Sequence, residues 1–461
     1  MVDFNSHISI MVKSMLNLDT LWKLNGFKPN DQQRDAILHV DGPLYITAGP
    51  GSGKTRVLLW RAVNLIVFHD VKPEEIFLST FTEKAAHQLQ EGLRGLLGYA
   101  TNINGQPYDL SKMYIGTVHS LCRRILNDRR KFLQDFHVSP TPNLMDELSQ
   151  YFHISKTRTW RQLGNVLDLS EGTDQNSVIN SIFNSNQLSK HSAVTNCIAF
   201  FNRCSEECID PLDAIEQISR PSDSLNSYLQ SSALEQDNLI KAYTLYRAYR
   251  DSLVQSGKLR STDFSLLQRE AYRVLIEREE TGQVFKHVII DEYQDTNTIQ
   301  EKIFFRLAKS HKNICVVGDD DQALYRFRGA TVENFVDFPT RCQKYLSIDP
   351  RRISLSTNYR SRKRIVEFYT TFMEQSDWRR DSGDGGFFRV MDKDIRAHNP
   401  DENPSIVAST PGSPENVCAE IAQLVKNLID QGKVEDPNQI AFLYPSLKSN
   451  AVEAMRTALE N

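Results

Sequence analysis

The stretch Ala48-Gly49-Pro50-Gly51-Ser52-Gly53-Lys54-Thr55 decides the fold of this chain. It follows an apolar run at residues 44–47 and precedes a helix-like run, which is the setting that a phosphate-binding loop requires. The glycines let the backbone curl so that its N–H groups and the helix N-terminus face a phosphate. Lys54 adds a positive charge, and Thr55 adds a hydroxyl ligand for magnesium. The stretch therefore predicts a nucleotide-binding α/β domain, with a simple glycine-rich turn as the alternative.

Adjacent carboxylates supply the other half of the predicted site. An apolar run at residues 288–290 ends in Asp291 and Glu292. We expect Asp291 to bind magnesium, directly or through water, and Glu292 to accept a proton from the water that attacks the γ-phosphate. An Asp-Glu pair by itself is more often a solvated strand end. The loop upstream makes nucleotide hydrolysis the better interpretation.

Length and composition limit the class of protein. The 461 residues suggest about three structural units at roughly 150 residues per domain. A formal net charge of −4 excludes nucleic-acid binding through bulk positive charge, so any polyanion site must be local. The apolar runs are far shorter than the roughly 20 residues needed to span a bilayer. We therefore expect no membrane helix. The first 25 residues have no continuous apolar core followed by a small-residue cleavage site, so we expect no signal peptide either.

The cysteines indicate a reducing environment. Seven of them, an odd number, are scattered along the chain, which favours a cytoplasmic location over a disulfide framework. Cys197, Cys204 and Cys208 lie near His191 and could in principle bind a metal. Their spacing matches no common zinc pattern, so buried thiols are the favoured interpretation.

Strand-length apolar runs alternate with helical patterns in two separate parts of the chain. This alternation predicts a parallel sheet with strands at residues 44–47, 76–81, 115–118, 288–291 and 314–319. Residues 121–268 lack strand-like runs and are interpreted as a helical insertion. A third region is expected to contain strands at 353–355, 405–408 and 440–444, a linker at 382–386, and helices at 415–430 and 451–460.

Seven short motifs follow one another in order. They are Asn30-Asp31-Gln32-Gln33-Arg34 and residues 49–56, 80–86, 116–120, 291–295, 318–330 and 358–361. This ordered set resembles the UvrD/Rep/PcrA group of superfamily 1 DNA helicases, from about residue 28 to the end of the chain. The resemblance implies a RecA-like P-loop NTPase motor domain with a parallel sheet at 1–125 and 262–345, a helical insertion domain at 126–261, and an incomplete second RecA-like domain at 346–461.

The resemblance also implies ATP and Mg²⁺ as cofactors and assigns further residues to the ATP site. Gln33 would read the base, because an amide can donate to and accept from adenine N6 and N7 together. Arg56 and Tyr359 would sandwich adenine. Gln322 would sense the γ-phosphate, and Arg360 would reach that phosphate across the cleft between motor domains.

Three aspartates precede the proposed sensor, at Asp319, Asp320 and Asp321. Such a run could indicate a metal cluster. We expect otherwise, on the argument that adjacent strand or turn residues do not all face one ion.

A track for single-stranded DNA, together with duplex junctions as substrate and 3′-to-5′ movement, is also implied by the resemblance. Such a track needs aromatic faces for stacking and cations along the backbone. The matching positions are Phe81, Thr82, Thr117, His119, Tyr325, Phe327 and Arg328. The chain departs from the commonest family pattern at Phe327, where tryptophan is frequent, and at Glu83, where asparagine is frequent. Glu83 would repel a phosphate if it faced the track, and a core position is the alternative for any one aromatic.

The family's motifs V and VI have no candidate before Asn461. The resemblance therefore predicts a truncated product or a fragment that binds ATP and magnesium but unwinds duplex DNA poorly. An arginine and half of a sheet would come from a missing C-terminal half or from a protein partner. One alternative is an ATP-responsive DNA-binding subunit that needs a partner chain. Another is a helicase–nuclease fusion, although these residues contain nothing like the carboxylate-lysine nuclease signature.

Overall fold

The structure is a computed structural model that describes residues 16–127, 138–231, 235–326, 329–380, 386–391, 393–401, 403, 405–408 and 411–460. Its first part alternates helices and strands. The helices are α1 (Leu18–Asn25), α2 (Asp31–Leu38), α3 (Lys54–Phe68), α4 (Glu83–Asn104) and α5 (Val118–Asn127). The strands are β1 (Leu44–Ala48), β2 (Ile76–Thr80) and β3 (Tyr114–Thr117). All three lie where apolar runs predicted them.

The predicted helical insertion is mostly helical but also contains strands. Its helices are α6 (Glu147–Ser155), α7 (Thr157–Asn165), α8 (Gln175–Ile182), α9 (Lys190–Glu206), α10 (Pro211–Ser219), α11 (Asp223–Ser231) and α12 (Gln236–Ser252). A small sheet is formed by β4 (Val138–Met145), β5 (Val254–Gln255) and β6 (Lys258–Asp263), in the order β4-β6-β5. The expectation of a strand-free insertion was therefore wrong. Two prolines disguise β4 in the sequence, and they are tolerated because it is an edge strand.

The chain then returns to the main sheet. It adds α13 (Phe264–Glu277), α14 (Glu280–Gln283), β7 (His287–Ile290), α15 (Thr298–Ala308), β8 (Ile314–Gly318), α16 (Glu333–Val336), α17 (Phe338–Leu346) and β9 (Arg351–Leu355). The six strands are all parallel, in the order β3-β2-β7-β8-β1-β9. The strand predicted at 353–355 to open the third region therefore pairs instead with β1, at the edge of the first sheet.

Alternate strand residues enter two separate cores. Tyr45 and Phe77 face one core, which also contains apolar side chains of α5, α13 and α15. Leu44 and Ile46 face the other, which contains apolar side chains of α1 to α4. This division follows from the period of two in a strand. Because both faces are covered, the strands consist of nearly continuous apolar runs.

The last part of the described chain forms a smaller unit. It contains β10 (Thr357–Arg362), α18 (Lys363–Glu374), β11 (Arg396–Asn399), α19 (Pro414–Asp430) and α20 (Asn450–Glu460), with β10 and β11 paired in parallel. The two last helices lie where they were predicted. The strands predicted at 405–408 and 440–444 are not formed, and Leu443 is almost fully exposed, with no strand for that run to pair with among the described residues. Of the predicted linker at 382–386, only Gly386 lies within the described residues.

Cys197 and Cys204 are buried thiols, as predicted, and Cys208 is partly buried. Within the described part of the chain, the one cluster of potential metal ligands is the aspartate run at 319–321. Over the same residues, no helix is both long enough and apolar enough to cross a bilayer.

Candidate nucleotide site and adjoining groove

The strand order brings three distant motifs to one edge of the sheet. The phosphate loop follows β1, Asp291 follows β7, and Asp319 follows β8. Thr47 of β1 lies beside Gly318 of β8, so the loop and the aspartate run start side by side. Because the strands are parallel, all three motifs lie at their carboxyl ends, where α/β proteins bind ligands.

The phosphate loop needs glycine at two positions for different reasons. Gly51 has a φ of 66°, and a Cβ there would lie 2.7 Å from Asn358 Oδ1 and from Arg360 Cβ. A Cβ on Gly49 would lie 2.6 Å from Cδ1 of Ile395. The loop is thus in close contact with the last part of the chain. Among the described residues the buried hydroxyl of Ser52 has no hydrogen-bond partner, which leaves it available to a phosphate oxygen.

Lys54 is the first residue of α3, and its Nζ lies 3.1 Å from Oε2 of Glu292. The same Glu292 oxygen accepts a hydrogen bond of 2.9 Å from Nε2 of Gln294. Glu292 has a φ of 51°, a left-handed conformation that costs energy in a residue with a side chain. The sequence-predicted cation and base are therefore in direct contact.

Asp291 is buried at the end of β7, and its backbone N–H donates to the carbonyl of Ser79 at 2.8 Å. Burial, followed by the charge of Glu292, raises the pKa of Asp291 to about 7, and Lys54 acts in the opposite direction. A divalent cation would offset that unfavourable charge. The oxygen ligands expected of Mg²⁺, the Asp291 carboxylate and the Thr55 hydroxyl, fit such an ion chemically.

Gln33 holds the phosphate loop. Its side chain and that of Asn30 form a capping box at the start of α2, with hydrogen bonds of 2.8 Å and 3.1 Å. Its Nε2 donates to the carbonyl of Ser52 at 3.0 Å. The side chain is buried by these contacts. Recognition of adenine by Gln33 stays a prediction, whereas its contact with the loop is direct.

Arg56 and Tyr359, the two residues predicted to sandwich adenine, are both exposed. The Arg56 guanidinium lies 4.4 Å from the ring centroid of Phe27 and donates to Asn25. The Tyr359 hydroxyl accepts from Asn30 Nδ2 at 3.0 Å, and its backbone N–H donates to the Gly51 carbonyl at 2.9 Å. Arg56 and Tyr359 are thus both near the phosphate loop. That the guanidinium and the tyrosine ring sandwich adenine stays a prediction.

The three aspartates face a single cation, so the argument that adjacent residues do not all face one ion is wrong here, while the absence of a metal cluster stays a prediction. Nζ of Lys393 lies 3.0 Å from Asp319, 2.5 Å from Asp320 and 3.0 Å from Asp321. A turn of 3₁₀ helix at 320–322 bends the backbone, and this brings adjacent side chains to one side. The bound cation is a lysine ammonium group. Gln322 Nε2 donates to Asp319 Oδ2 at 2.6 Å.

A groove of about 770 Å³ runs from the carboxylates to the helical insertion. Four of the predicted DNA-facing residues line it: Phe81, Thr82, His119 and Tyr325. The ring centroids of Phe81 and Tyr325 are 4.6 Å apart. Phe327 and Arg328 lie outside the described residues.

Thr117 is buried, and its hydroxyl donates to Glu83 Oε1 at 2.8 Å. This hydrogen bond engages the Glu83 carboxylate, the group expected to repel a phosphate if it faced the DNA track. Burial lowers the pKa of His119 to about 4, with Glu83 acting in the opposite direction, so His119 is neutral near pH 7. Its Nε2 accepts from Gln268 at 3.1 Å.

Comparison with known proteins agrees with this geometry. Residues 29–343 match the UvrD/REP helicase N-terminal domain. The chain belongs to the UvrD/REP helicase family. Among its relatives, "ATP-dependent DNA helicase UvrD1" of Mycobacterium tuberculosis (strain ATCC 25618 / H37Rv) is 31% identical over 369 residues, which cover 78% of this chain and 40% of UvrD1.

Two further relatives have similar coverage. "ATP-dependent DNA helicase PcrA" of Staphylococcus aureus (strain NCTC 8325 / PS 47) is 29% identical over 77% of this chain and 41% of PcrA. The "Probable DNA helicase II homolog" of Mycoplasma capricolum is 27% identical over 87% of this chain and 47% of that protein. This UvrD/REP family chain thus spans less than half the length of these relatives.

Several groove residues of this UvrD/REP family member were not found from the sequence. They come from the insertion and from the helix after it: Gln150, Asn202, Arg203, Phe264 and Gln268. In sequence they resemble ordinary helix-surface residues, because no local pattern marks them. Their position depends on how α6, α9 and α13 pack against the sheet.

Proposed function

We propose that this chain is the ATP-binding part of a DNA helicase, which hydrolyses ATP on single-stranded DNA and moves 3′ to 5′ when the remainder of the motor is present. The observation that carries the proposal is the contact between Lys54 and Glu292, beside the buried Asp291. The residues proposed as phosphate-binding cation, general base and metal ligand thus lie together at one edge of the sheet. The family match supports the same function.

The chain's own residues suggest how hydrolysis would proceed. The N–H groups of the glycine loop and the start of α3 bind the phosphates, and Lys54 moves from Glu292 to the terminal phosphates. Glu292, released from its ion pair, then accepts a proton from the attacking water. Mg²⁺ held by Thr55 and Asp291 would neutralise charge on the phosphate oxygens. Arg360 adjoins Gly51, and its guanidinium has no hydrogen-bond or ion-pair partner among the described residues, so it is available to the γ-phosphate.

The groove supports single-stranded DNA as the second substrate. Phe81 and Tyr325 present neighbouring aromatic faces in this groove, on which bases can stack. Its other end reaches Asp291 and Glu292. One continuous surface would therefore connect bound DNA with the ATP site. The seven free cysteines support a cytoplasmic location.

The test is DNA-stimulated ATP hydrolysis and strand separation by the purified chain. We expect ATP and Mg²⁺ to bind, hydrolysis to be weak, and unwinding to be slight, because the arginine of a second motor half is worth about 10³–10⁵ in rate. Glu292→Gln is expected to keep nucleotide binding and to lower hydrolysis by about 10²–10⁴. The matched control is Glu171→Gln, at an exposed loop position of the insertion. Wild-type hydrolysis by Glu292→Gln would refute the proposed base, and strong unwinding by the chain alone would refute the need for another half.

An ATP-responsive DNA-binding subunit is the second candidate. Phe368 and Phe372 on α18, together with Leu443, expose large apolar side chains, which favours a covering partner or a further chain segment. This candidate predicts affinity for single-stranded DNA that depends on ATP, with negligible hydrolysis until the partner is added.

A further inference from the structure

One lysine ammonium group contacts every carboxylate of the aspartate run that precedes the proposed γ-phosphate sensor. Lys393 is buried, and its Nζ contacts all three carboxylates within 3.0 Å. The side chains of Asp319 and Asp320 are themselves almost fully buried. Three carboxylates at such short range repel one another, and a cation at their centre is what allows them to stay together.

Lys393 belongs to a short segment, residues 389–391 and 393–395, that we call the strap. Arg389 donates twice to Asp321, at 2.6 Å and 2.9 Å. The backbone N–H of Val390 donates to Asp320 Oδ2 at 2.7 Å. The strap therefore contacts every member of the aspartate run, and its contact with Asp319 is made by Lys393.

Asp319 connects the strap to the proposed sensor. Its Oδ1 lies 3.0 Å from Nζ of Lys393, and its Oδ2 accepts a hydrogen bond of 2.6 Å from Nε2 of Gln322. Its backbone N–H donates to Gln294 Oε1 at 3.1 Å, and Gln294 in turn donates to Glu292. A continuous set of polar contacts thus extends from the strap to the sensor and to the proposed base.

The other end of the strap contacts the phosphate loop. Ile395 packs so close to Gly49 that a Cβ there would lie 2.6 Å from its Cδ1. Asp394, between Lys393 and Ile395, has a φ of 43°, a conformation that needs support from its surroundings. The strap therefore bridges the two places where a γ-phosphate would be bound and sensed.

We propose that Lys393 is a positioning residue for nucleotide recognition: by fixing Asp319, it orients the Gln322 amide, and the preference for ATP over ADP depends on it. This inference rests on the proposed function. A glutamine side chain has several rotatable bonds, and an acceptor held rigidly at 2.6 Å restricts them before the ligand arrives. Without Lys393, Asp319 would be pushed away by its neighbours, and the amide would lose its anchor.

The experiment compares dissociation constants of Mg²⁺-ADP and of a non-hydrolysable Mg²⁺-ATP analogue, by calorimetry on the full chain. Lys393→Met removes the cation. The double variant Lys393→Met/Asp320→Asn removes one cation and one carboxylate together, so the cluster keeps its net charge. The asparagine introduced at position 320 still offers an oxygen that can accept from the Val390 N–H. Lys433→Met is the matched control, because this exposed lysine lies outside the strap. Thermal melting reports folding in each case.

Wild type is expected to prefer the triphosphate, and Lys393→Met is expected to lower that preference about tenfold with little change in ADP affinity. The charge-balanced variant is expected to melt near wild type and still to lack the preference. If it regains the preference within about twofold, Lys393 supplies charge balance alone and the inference is overturned. Equal wild-type affinity for both nucleotides would also overturn it. If the wild type does not bind ADP at all, the proposed function itself is refuted.

Discussion

Nζ of Lys54 lies 3.1 Å from Oε2 of Glu292, although 238 positions separate the two residues in the chain. The proposed phosphate-binding cation and the proposed base are therefore paired with each other in the structure. Under the proposed function, ATP would compete with Glu292 for Lys54 and would thereby release the carboxylate. The contact explains how one ion pair could keep the base inactive until a phosphate is bound.

Lys54→Met is expected to weaken ATP binding about 10- to 100-fold, because a hydrogen bond to a charged group contributes about 1.5–3 kcal/mol. Glu292→Gln is expected to bind ATP at least as tightly as wild type, because it no longer competes for Lys54. Equilibrium binding of fluorescent ATP measures both. The control is Lys433→Met, at an exposed lysine after α19. If Lys54→Met binds ATP as tightly as wild type does, residues 48–55 are not a phosphate-binding loop.

Tyr325→Ala is expected to weaken single-stranded DNA binding by about 1–3 kcal/mol, the usual contribution of stacking one base. Phe81→Ala should have a similar effect. Because the two rings are 4.6 Å apart, the double variant is expected to lose less than the sum of the two single effects. Fluorescence anisotropy with a labelled oligonucleotide measures all three. Tyr228→Ala, at an exposed tyrosine on α11, is the control, and additive effects would mean that the rings bind independently.

His119→Asn is expected to weaken DNA binding without changing its salt dependence near pH 7.5. Burial lowers the pKa of His119 to about 4, so the ring carries no charge to offset a phosphate. A charged contact to single-stranded DNA would contribute about −0.7 to the slope of log K against log salt. The slope is measured by titrating salt for wild type and variant. A slope smaller in magnitude by that amount in the variant would show that His119 is protonated when DNA is bound.

The sheet and its motifs could be predicted because their signals are local. Each parallel strand is an apolar run followed by a short motif, and the parallel arrangement then brings Lys54 and Asp291 to one edge. The division into domains stays a prediction. The assignments of Gln33 and Tyr359 to adenine likewise rest on the resemblance.

The strap could not be predicted, because the aspartates that it contacts are about 70 residues away, the phosphate loop is farther still, and the strap's sequence has no periodicity. Lys393 looks like one charge among several in a polar segment, and only the fold brings it to Asp319. The strand β4 was missed for the opposite reason, since its prolines argue locally against a strand. Packing at the edge of a small sheet decided its conformation.

Gly51→Ala is expected to lower the free energy of unfolding by at least about 1 kcal/mol, because a left-handed conformation is unfavourable for alanine. Its Cβ would also press on Asn358 and Arg360, so ADP affinity should fall as well. Urea denaturation and nucleotide binding test the two effects. Gly95→Ala is the control, because a Cβ there meets no atom within 4 Å. The free energy of unfolding of Gly95→Ala should rise by up to about 1 kcal/mol, because alanine has the better helix propensity. Equal effects of the two substitutions would contradict the packing argument.

Glu301→Gln is expected to gain free energy of unfolding relative to wild type as the pH rises. Burial on α15 raises the pKa of Glu301 to about 7, and Arg341, 3.6 Å away, offsets this only in part. The folded state therefore binds a proton more tightly than the unfolded state does. The corresponding stability is present below the ordinary glutamate pKa and is lost as the pH rises through about 7.

Between about pH 5 and about pH 8, the variant should gain about 2 kcal/mol in the free energy of unfolding relative to wild type. Urea denaturation at several pH values measures this difference, and each pair of curves is compared at the same pH. Glu453→Gln removes an exposed glutamate whose ion pair with Arg456 is exposed too, so its difference from wild type should stay nearly constant over that range. A constant difference for Glu301→Gln as well would show that Glu301 is ionised in the folded protein throughout, with Arg341 and solvent supplying enough stabilisation to overcome its burial.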